Sequence, residues 1–153
     1  MHIGLIGGIG PAATDFYYRR LISTFASKQA ALDLTIAHAD TPTLLGNLAS
    51  NNAADQVAIY MRLTRRLAAA GAEFVVVTSI AGHFCIDDFQ SMSPLPVIDM
   101  IREVDQAVGQ RGVRRIGILG LAPSWRPVSM ELWHMRSSSP QGSGLGRCPP
   151  GLR

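Results

Sequence analysis

The sequence predicts an α/β fold with a doubly wound parallel sheet. Over residues 1–120, short apolar segments alternate with longer amphipathic ones, which is the order of repeated strand–helix units. One of the short segments, Phe74–Val77, is apolar on both faces, as is typical of a parallel strand that helices cover on both sides. A chain of 153 residues has room for one such domain and a little more.

Five strands are expected along this first part of the chain. The first is a short apolar run that ends in glycines, and the others are bounded by polar or turn-forming residues. They are predicted at His2–Gly7, Leu32–Ala37, Phe74–Val77, Leu95–Ile98 and Ile116–Leu119.

Helices are expected between these strands, at residues 11–25, 53–70, 81–89 and 99–108. Pro11 suits a first helical turn, where its missing N–H costs no hydrogen bond, and Gly71 suits a helix end. Residues 40–50 are interpreted as a loop. In the longest helix, the residues expected to face the core are Val57, Tyr60, Met61, Leu63 and Leu67.

The composition narrows the class of protein. Hydrophobic residues make up 47% of the chain and charged residues 16%, which excludes a wholly disordered chain. No uninterrupted apolar run reaches the roughly 18 residues of a membrane span. The N-terminus has no basic segment typical of a signal peptide, and two cysteines make no disulfide framework. We therefore expect a cytoplasmic protein.

The net charge of +3 comes from the end of the chain. Residues 1–120 contain ten Lys or Arg and ten Asp or Glu, whereas residues 121–153 contain four arginines and one glutamate. Pro, Gly and Ser supply 15 of these last 33 residues, and no helical or strand period persists there. We therefore predict a domain at 1–120, an aperiodic tail at 121–153, and no nucleic-acid partner.

Three segments rich in small and polar residues follow predicted strands, at residues 7–14, 38–47 and 78–85. Ligands of open parallel sheets bind beyond the carboxyl ends of the strands, so the site is expected there. Gly8, Gly10 and Ala13 fit a dinucleotide fingerprint, but Asp40 lies 30 residues after Gly10, against about 20 in that fingerprint. A nicotinamide-binding domain remains an alternative.

The Thr78–Cys85 segment offers hydroxyls that suit an anionic ligand. Ser79 has the alternative role of capping the next helix, and His83 is either an acid/base group or a buried histidine. Cys85 is interpreted as a small core residue. A metal site would draw on His38, Asp40, His83 and Cys85, but their spacing fits no known ligand pattern, so no metal is predicted.

Four segments carry a family resemblance. The stretches HIGLIGGIGPAATDFYYRRLI, AGAEFVVVTSIAGHF, LPVIDMI and RRIGILG resemble the N-terminal half of the aspartate/glutamate racemase family, within the Asp/Glu/hydantoin racemase superfamily. The resemblance covers residues 1–120 and implies a flavodoxin-like domain of an amino-acid racemase that needs neither pyridoxal phosphate nor another cofactor. It implies two similar domains with the active site between them. Branches that act on hydantoins or maleate are also similar.

The resemblance implies a catalytic position and a set of substrate contacts. Racemization removes the Cα proton on one face and returns a proton on the other, so it needs two acid/base groups. The family typically uses two cysteines. Thr78 stands at the first of these positions, as it does in some similar sequences, and a hydroxyl is a far weaker acid than a thiol. The implied substrate-binding residues are Ile9, Asp40, Thr41, Ser79, Ile80 and His83. No arginine between residues 29 and 61 is present to bind a side-chain carboxylate.

The second half of the family pattern is missing after Gly120. Permitted codons for the following residues, read one base out of frame, encode Thr-Gly-Ala-Val-Met-Glu, which resembles the family's continuation. We hypothesise that residues 121–153 are the frameshifted start of a second domain. The expectation is then a truncated amino-acid racemase, an isomerase that is inactive as this chain, with a homodimer as its expected assembly. The alternative of another class is a non-catalytic module that binds a small ligand.

Overall fold

The computed structural model of the chain describes residues 1–112, which contain four strands and five α-helices. The strands are β1 (His2–Gly7), β2 (Asp33–His38), β3 (Phe74–Val77) and β4 (Val97–Ile98). The helices are α1 (Pro11–Ser27), α2 (Thr41–Ala49), α3 (Ala53–Ala69), α4 (Ile86–Met92) and α5 (Met100–Gln110), with a 3-10 helix at Ile80–Cys85. The predicted strand 116–119 and tail 121–153 lie outside the described residues.

All three strand pairs are parallel, and the strand order is β2-β1-β3-β4. The predicted α/β class with a parallel sheet is confirmed. Strand β1 lies between β2 and β3, and its burial reflects this, since every residue from Ile3 to Gly7 is buried.

Helices cover both faces of the sheet, so the sheet is doubly wound. On one face, Ile3, Leu5 and Val76 pack with α1 and with Met100 of α5. On the other face, Ile6, Val75 and Val77 pack against α2, α3 and α4. The five residues predicted to face the core from the longest helix are all buried, and they are Val57, Tyr60, Met61, Leu63 and Leu67. Gly71 follows this helix with φ of 91°, a conformation that favours glycine.

The interpretation of residues 40–50 as a loop is wrong, because α2 occupies Thr41–Ala49. The Asp40 side chain accepts a hydrogen bond from the Thr43 amide and so caps the helix. Pro42 lies in its first turn, where no N–H is needed. Leu44 is 1% exposed and packs into the core. Capping and the burial of this leucine outweigh the weak helix propensities of Gly46 and the two threonines.

Two smaller differences concern the segment after β3. The helix expected at 81–89 is divided into the 3-10 helix and α4, which meet at Cys85 and Ile86. The strand expected at 95–98 is shortened to Val97–Ile98. The tighter 3-10 turn places the side chains that follow Thr78 at a spacing different from that of an α-helix.

Candidate functional site

The strand register brings the three polar segments to one edge of the sheet. Gly7 pairs with His38, and Ile6 pairs with Val77. The next residues along the chain are tied across the same strands. The Ala39 amide donates to the Gly7 carbonyl at 2.9 Å, and the Thr78 amide donates to the Ile6 carbonyl at 3.0 Å. The carboxyl ends of β1, β2 and β3 therefore lie side by side, as the sequence predicted for the site.

Thr78 directly follows the buried strand β3, and only 1% of the residue is exposed. Its hydroxyl donates to the Ile6 carbonyl at 3.1 Å. The same hydroxyl oxygen lies 2.8 Å from the hydroxyl oxygen of Thr14, in the first turns of α1. The candidate catalytic hydroxyl is thus held between β1 and α1 by two hydrogen bonds.

Thr14 belongs to this site and was missed by the sequence analysis. The signal that would have found it is its place in α1, directly after Ala13 of the glycine-rich segment and three residues after Pro11. A side chain there, in the first turns of a helix that follows β1, lies at the carboxyl edge of the sheet.

Gly8 and Thr41 fix the glycine-rich segment against the start of α2. Gly8 has φ of 150°, and a Cβ there would lie 2.5 Å from Leu44 Cδ1 and 2.9 Å from the Ala39 carbonyl oxygen. The Thr41 hydroxyl donates to the Gly8 carbonyl. The hydrogen bond from the Thr41 hydroxyl to the Gly8 carbonyl therefore holds the loop after β1 against α2.

Asp40 lies at the exposed start of α2, where one carboxylate oxygen does all of the capping. Oδ2 accepts from the Thr43 amide at 3.0 Å and from the Thr43 hydroxyl at 2.6 Å. These two hydrogen bonds, first the hydroxyl and then the amide, lower the pKa of the Asp40 carboxyl. The carboxylate is therefore ionised at neutral pH and is turned towards α2.

Ser79 and Ile80 begin the segment that leads away from Thr78. Ser79 has an extended backbone and precedes the 3-10 helix, but its hydroxyl makes no capping hydrogen bond, so the capping alternative is wrong. Its carbonyl accepts from the Gly82 amide at 3.1 Å. Ile80 is 52% exposed, whereas Ile9 is half-buried against the core. The hydroxyl of Ser79 and the side chain of Ile80 are accordingly available to a ligand at this edge.

His83 is buried next to the strand end and is neutral. Its Nδ1–H donates to the Ser79 carbonyl at 2.7 Å, which leaves a lone pair on Nε2. Within residues 1–112, Nε2 is buried and has no hydrogen-bond partner. Burial lowers the pKa of His83, although the Ser79 carbonyl and the carboxylate of Asp99 act in the opposite direction. The segment after Thr78 therefore contains a buried, unprotonated imidazole nitrogen.

A series of buried side-chain hydrogen bonds connects α2 and α3 to the 3-10 helix. The Asn47 amide donates to Gln56 Oε1 at 3.1 Å, and Gln56 Nε2 donates to the Tyr60 hydroxyl oxygen at 2.7 Å. The Tyr60 hydroxyl in turn donates to the Gly82 carbonyl at 3.2 Å. Gln56 and Tyr60 are fully buried, so this series of hydrogen bonds joins α2 and α3 to the residue before His83.

Cys85 is a core residue, as the sequence analysis predicted. It is 4% exposed and packs in the same cluster as Phe89. Burial raises the pKa of its thiol to about 12, so the thiol stays protonated at neutral pH. In the described part of the chain, no group of three His, Cys, Asp or Glu side chains is arranged to hold a metal ion.

These features allow one kind of chemistry. The edge contains the buried Thr78 hydroxyl, the half-buried Ser79, the backbone of a glycine loop, and a buried, neutral imidazole, which together suit a small polar ligand and proton transfer. Asp40 and Thr41 lie at the same edge, but their hydrogen bonds within residues 1–112 go to Thr43 and Gly8 and not to the Thr78 segment.

The profile of the Asp/Glu/hydantoin racemase family matches residues 6–146 of this chain. The chain belongs to the Asp/Glu/hydantoin racemase family. The match extends past Gly120, where the sequence analysis placed the end of the first domain, and that division stays a prediction. The family match favours a racemase over the nicotinamide-binding alternative.

Two solved structures resemble the chain. One is a crystal structure of a candidate Asp/Glu racemase from Yersinia pestis, with 24% identity and a TM-score of 0.71. The match covers 79% of this chain and 54% of that one. The other is an aspartate racemase homologue from Pyrococcus horikoshii OT3, with 27% identity, a TM-score of 0.65, and coverage of 74% and 50%. This chain spans about half the length of the structures that it matches.

The helices give one further observation. Within residues 1–112, none is both long and apolar enough to cross a lipid bilayer.

Proposed function

We propose that this chain supplies one face of a cofactor-independent amino-acid racemase of the aspartate/glutamate type. In this proposal Thr78 is the group that transfers a proton to or from Cα on that face. The observation that supports it is the position of the Thr78 hydroxyl, at the end of the central strand β3 and fixed by Thr14 and Ile6.

Racemization needs an acid/base group on each of the two faces of the substrate Cα. Thr78 approaches Cα from one side, and inversion requires that the new proton arrive from the other. A threonine hydroxyl is a weak base at neutral pH, so Thr78 acts better as the donor in one direction than as the acceptor in the other. We propose that the stronger base acts from the opposite face of Cα, and we expect the 153-residue chain to be inactive with Thr78 alone.

The substrate contacts proposed for this half fall into two groups. Ser79, Ile80 and His83 form the wall next to Thr78. The Nε2 of His83, which has no hydrogen-bond partner among residues 1–112, is the proposed acceptor for the α-ammonium group. Ile9, Asp40 and Thr41 shape the opposite side through the glycine loop and the start of α2. Because Asp40 is ionised, it repels a side-chain carboxylate placed beside it, so that carboxylate must lie away from α2.

One observation favours a second candidate function, a non-catalytic module that binds a small ligand. Thr78 is 1% exposed, and a group that touches Cα must be reached by substrate. If the neighbouring side chains do not move, the Thr78 hydroxyl serves only to join β1, β3 and α1. The half-buried Ser79 and the exposed Ile80 would then bind a ligand without any chemistry.

The experiment compares variants at position 78 in a chain whose reading frame is shifted by one base after Gly120. L-Aspartate and L-glutamate are incubated with it in D2O, and deuterium at Cα is measured by proton NMR. Inversion of the amino acid, followed in parallel by circular dichroism, should fall at least 100-fold in Thr78→Val, while the apparent affinity for the amino acid stays within a few-fold. Thr78→Cys should retain turnover, because the family's usual residue stands there.

Controls separate the two candidate functions. Exchange that is unaffected by EDTA and by hydroxylamine supports a cofactor-independent reaction. Binding of the amino acid without any exchange by the unsubstituted extended chain would favour the binding module. Unchanged inversion in Thr78→Val would overturn the role of Thr78.

A further inference from the structure

Two contacts decide how the Thr78 hydroxyl is oriented, one with the hydroxyl of Thr14 and one with the carbonyl of Ile6. The two hydroxyl oxygens are 2.8 Å apart, and Thr78 also donates to the Ile6 carbonyl at 3.1 Å. A hydroxyl has one hydrogen and a carbonyl only accepts, so both contacts are hydrogen bonds at the same time only when the Thr78 hydrogen points to Ile6. The hydrogen between the two threonines therefore belongs to Thr14, and Thr14 is the donor to Thr78.

We propose that Thr14 is a positioning residue for Thr78 in proton transfer, and this rests on the role of Thr78 in the proposed function. Thr14 fixes the Thr78 oxygen and donates a hydrogen bond to it. That hydrogen bond strengthens when the oxygen becomes negative, because charge-assisted hydrogen bonds are about twice as strong as neutral ones.

The proton balance of the step is simple. The O–H bond of Thr78 breaks, its proton forms the new C–H bond at the Cα carbanion, and the electron pair of the broken bond stays on the Thr78 oxygen. The Thr14 hydroxyl keeps its own hydrogen and donates it to that oxygen. In the reverse direction the Thr78 oxygen takes the Cα proton, and the same hydrogen bond weakens.

The Thr78 hydroxyl can turn from Ile6 towards a substrate at low cost. The Ile6 carbonyl also accepts the Thr78 amide hydrogen at 3.0 Å. When the hydroxyl hydrogen turns away, this buried carbonyl keeps one hydrogen bond, so the large penalty of an unpaired buried acceptor is avoided. Ile6 is therefore a resting acceptor for the Thr78 hydroxyl hydrogen, and Thr14 is the permanent donor to the Thr78 oxygen.

Gly7 provides the space that this contact needs. A Cβ at Gly7 would lie 2.8 Å from Thr14 Oγ1 and 3.2 Å from Thr14 Cγ2, and the nearest atoms around it all belong to Thr14. An alanine at this position would push the Thr14 hydroxyl from Thr78. Gly7→Ala is thus a second, independent way to break the same hydrogen bond without changing either threonine.

The test uses a thiol at position 78 as a reporter, in the 153-residue chain, so that no racemase activity is required. Thr78→Cys is made together with Cys148→Ser, and the remaining Cys85 is silent because its pKa is about 12. The pKa of the new thiol is measured from thiolate absorbance at 240 nm and from the pH dependence of iodoacetamide alkylation.

With Thr14 present, the hydrogen bond to the thiolate should lower the thiol pKa. Thr14→Val should raise it by about one unit, which below the pKa is a tenfold slower alkylation. Thr14→Ser should restore the lower value, since the hydroxyl returns. Thr24→Val, a matched change further along α1, should leave the thiol pKa unchanged.

Gly7→Ala should reproduce the effect of Thr14→Val, and Gly7→Ala combined with Thr14→Ala should raise the pKa no further. Equal pKa values in the Thr14→Val and Thr14→Ser proteins would overturn the proposal. If the Thr78→Cys protein does not fold, a double-mutant cycle of Thr14→Val and Thr78→Val is measured by urea unfolding. Additive losses in that cycle would also overturn it, whereas coupled losses support it.

Failure of this proposal is distinct from failure of the proposed function. The thiol pKa reports on the Thr14 contact in the chain as it stands, whereas deuterium exchange reports on racemization. A lowered thiol pKa together with a complete lack of exchange in the extended chain would leave the hydrogen bond established and remove its catalytic purpose, which overturns the positioning role.

Discussion

The hydroxyls of Thr14 and Thr78 lie 2.8 Å apart, although 64 residues separate them in the chain. One stands in the first turns of α1 and the other directly follows β3. This contact joins the glycine-rich segment to the strand end where we propose the catalytic hydroxyl. The two segments that the sequence identified separately are therefore parts of one site.

We expect Gly82→Ala to destabilise the protein by about 1–3 kcal/mol, since inserting atoms into a packed core costs that much. A Cβ at Gly82 would lie 2.4 Å from the Tyr60 hydroxyl oxygen and 3.1 Å from Val77 Cγ1. It would displace the tyrosine that donates to the Gly82 carbonyl. Urea unfolding monitored by circular dichroism measures the change.

Gly46→Ala is the matched control for this substitution. Gly46 lies within α2, and no atom approaches within 4 Å of a Cβ built there. Replacing an interior helical glycine by alanine should stabilise the protein by about 0.5–1 kcal/mol. Similar effects of the two substitutions would contradict the close packing of the 3-10 helix against Tyr60.

His83 should make the protein less stable as the pH falls below about 6.5, the ordinary pKa of an unfolded histidine. Burial lowers the pKa of His83 in the folded state, so in this range the unfolded chain binds a proton that the folded chain does not. The stability that neutral His83 contributes above pH 6.5 is therefore lost as the pH falls from 6.5 towards the pKa of His83 in the folded protein. The slope is at most about 1.4 kcal/mol per pH unit.

His83→Asn should remove this part of the pH dependence, because asparagine retains a donor for the Ser79 carbonyl but does not titrate. His38→Asn, at an exposed position, serves as the control and should keep the slope. Urea unfolding between pH 5 and pH 7.5 gives the comparison. An unaltered slope in His83→Asn would mean that another group causes it.

Cys85 should be unreactive in the folded protein. Its burial and its pKa of about 12 leave almost no thiolate at pH 8. In a Cys148→Ser protein, the thiol reagent DTNB should react with Cys85 only as fast as the chain unfolds. The rate should therefore rise steeply with urea. Rapid labelling in native buffer would show that the thiol is accessible and would reopen a chemical role for it.

The strands of the fold were predictable because a strand that is buried on both faces consists of a continuous run of apolar residues. Phe74–Val77 was identified correctly from its continuous apolar character. α2 was missed because its stability comes from the Asp40 cap and the burial of Leu44, which are properties of the folded state. Local propensity gives no sign of either in a segment that contains Gly46, Pro42 and two threonines.

The candidate site was predictable in position and less so in detail. Thr78 and His83 follow a recognisable strand, so the sequence located the site edge. It did not show that Thr78 bonds to Thr14, since that contact depends on how α1 lies against β1 and β3. Nor did it show that the Thr41 hydroxyl is bound to the Gly8 carbonyl, a contact set by the register of β1 and β2.

The measurement that tests the central claim most directly is the optical inversion of L-aspartate and L-glutamate by the 153-residue chain in D2O. The claim is that Thr78 serves one face of Cα and that inversion needs a second acid/base group on the other. Circular dichroism should therefore show no loss of the L-enantiomer, because each missing acid/base group costs about 10²–10⁴ in rate. Robust inversion by this chain alone would contradict the account and indicate a second base within it, with His83 the first residue to substitute.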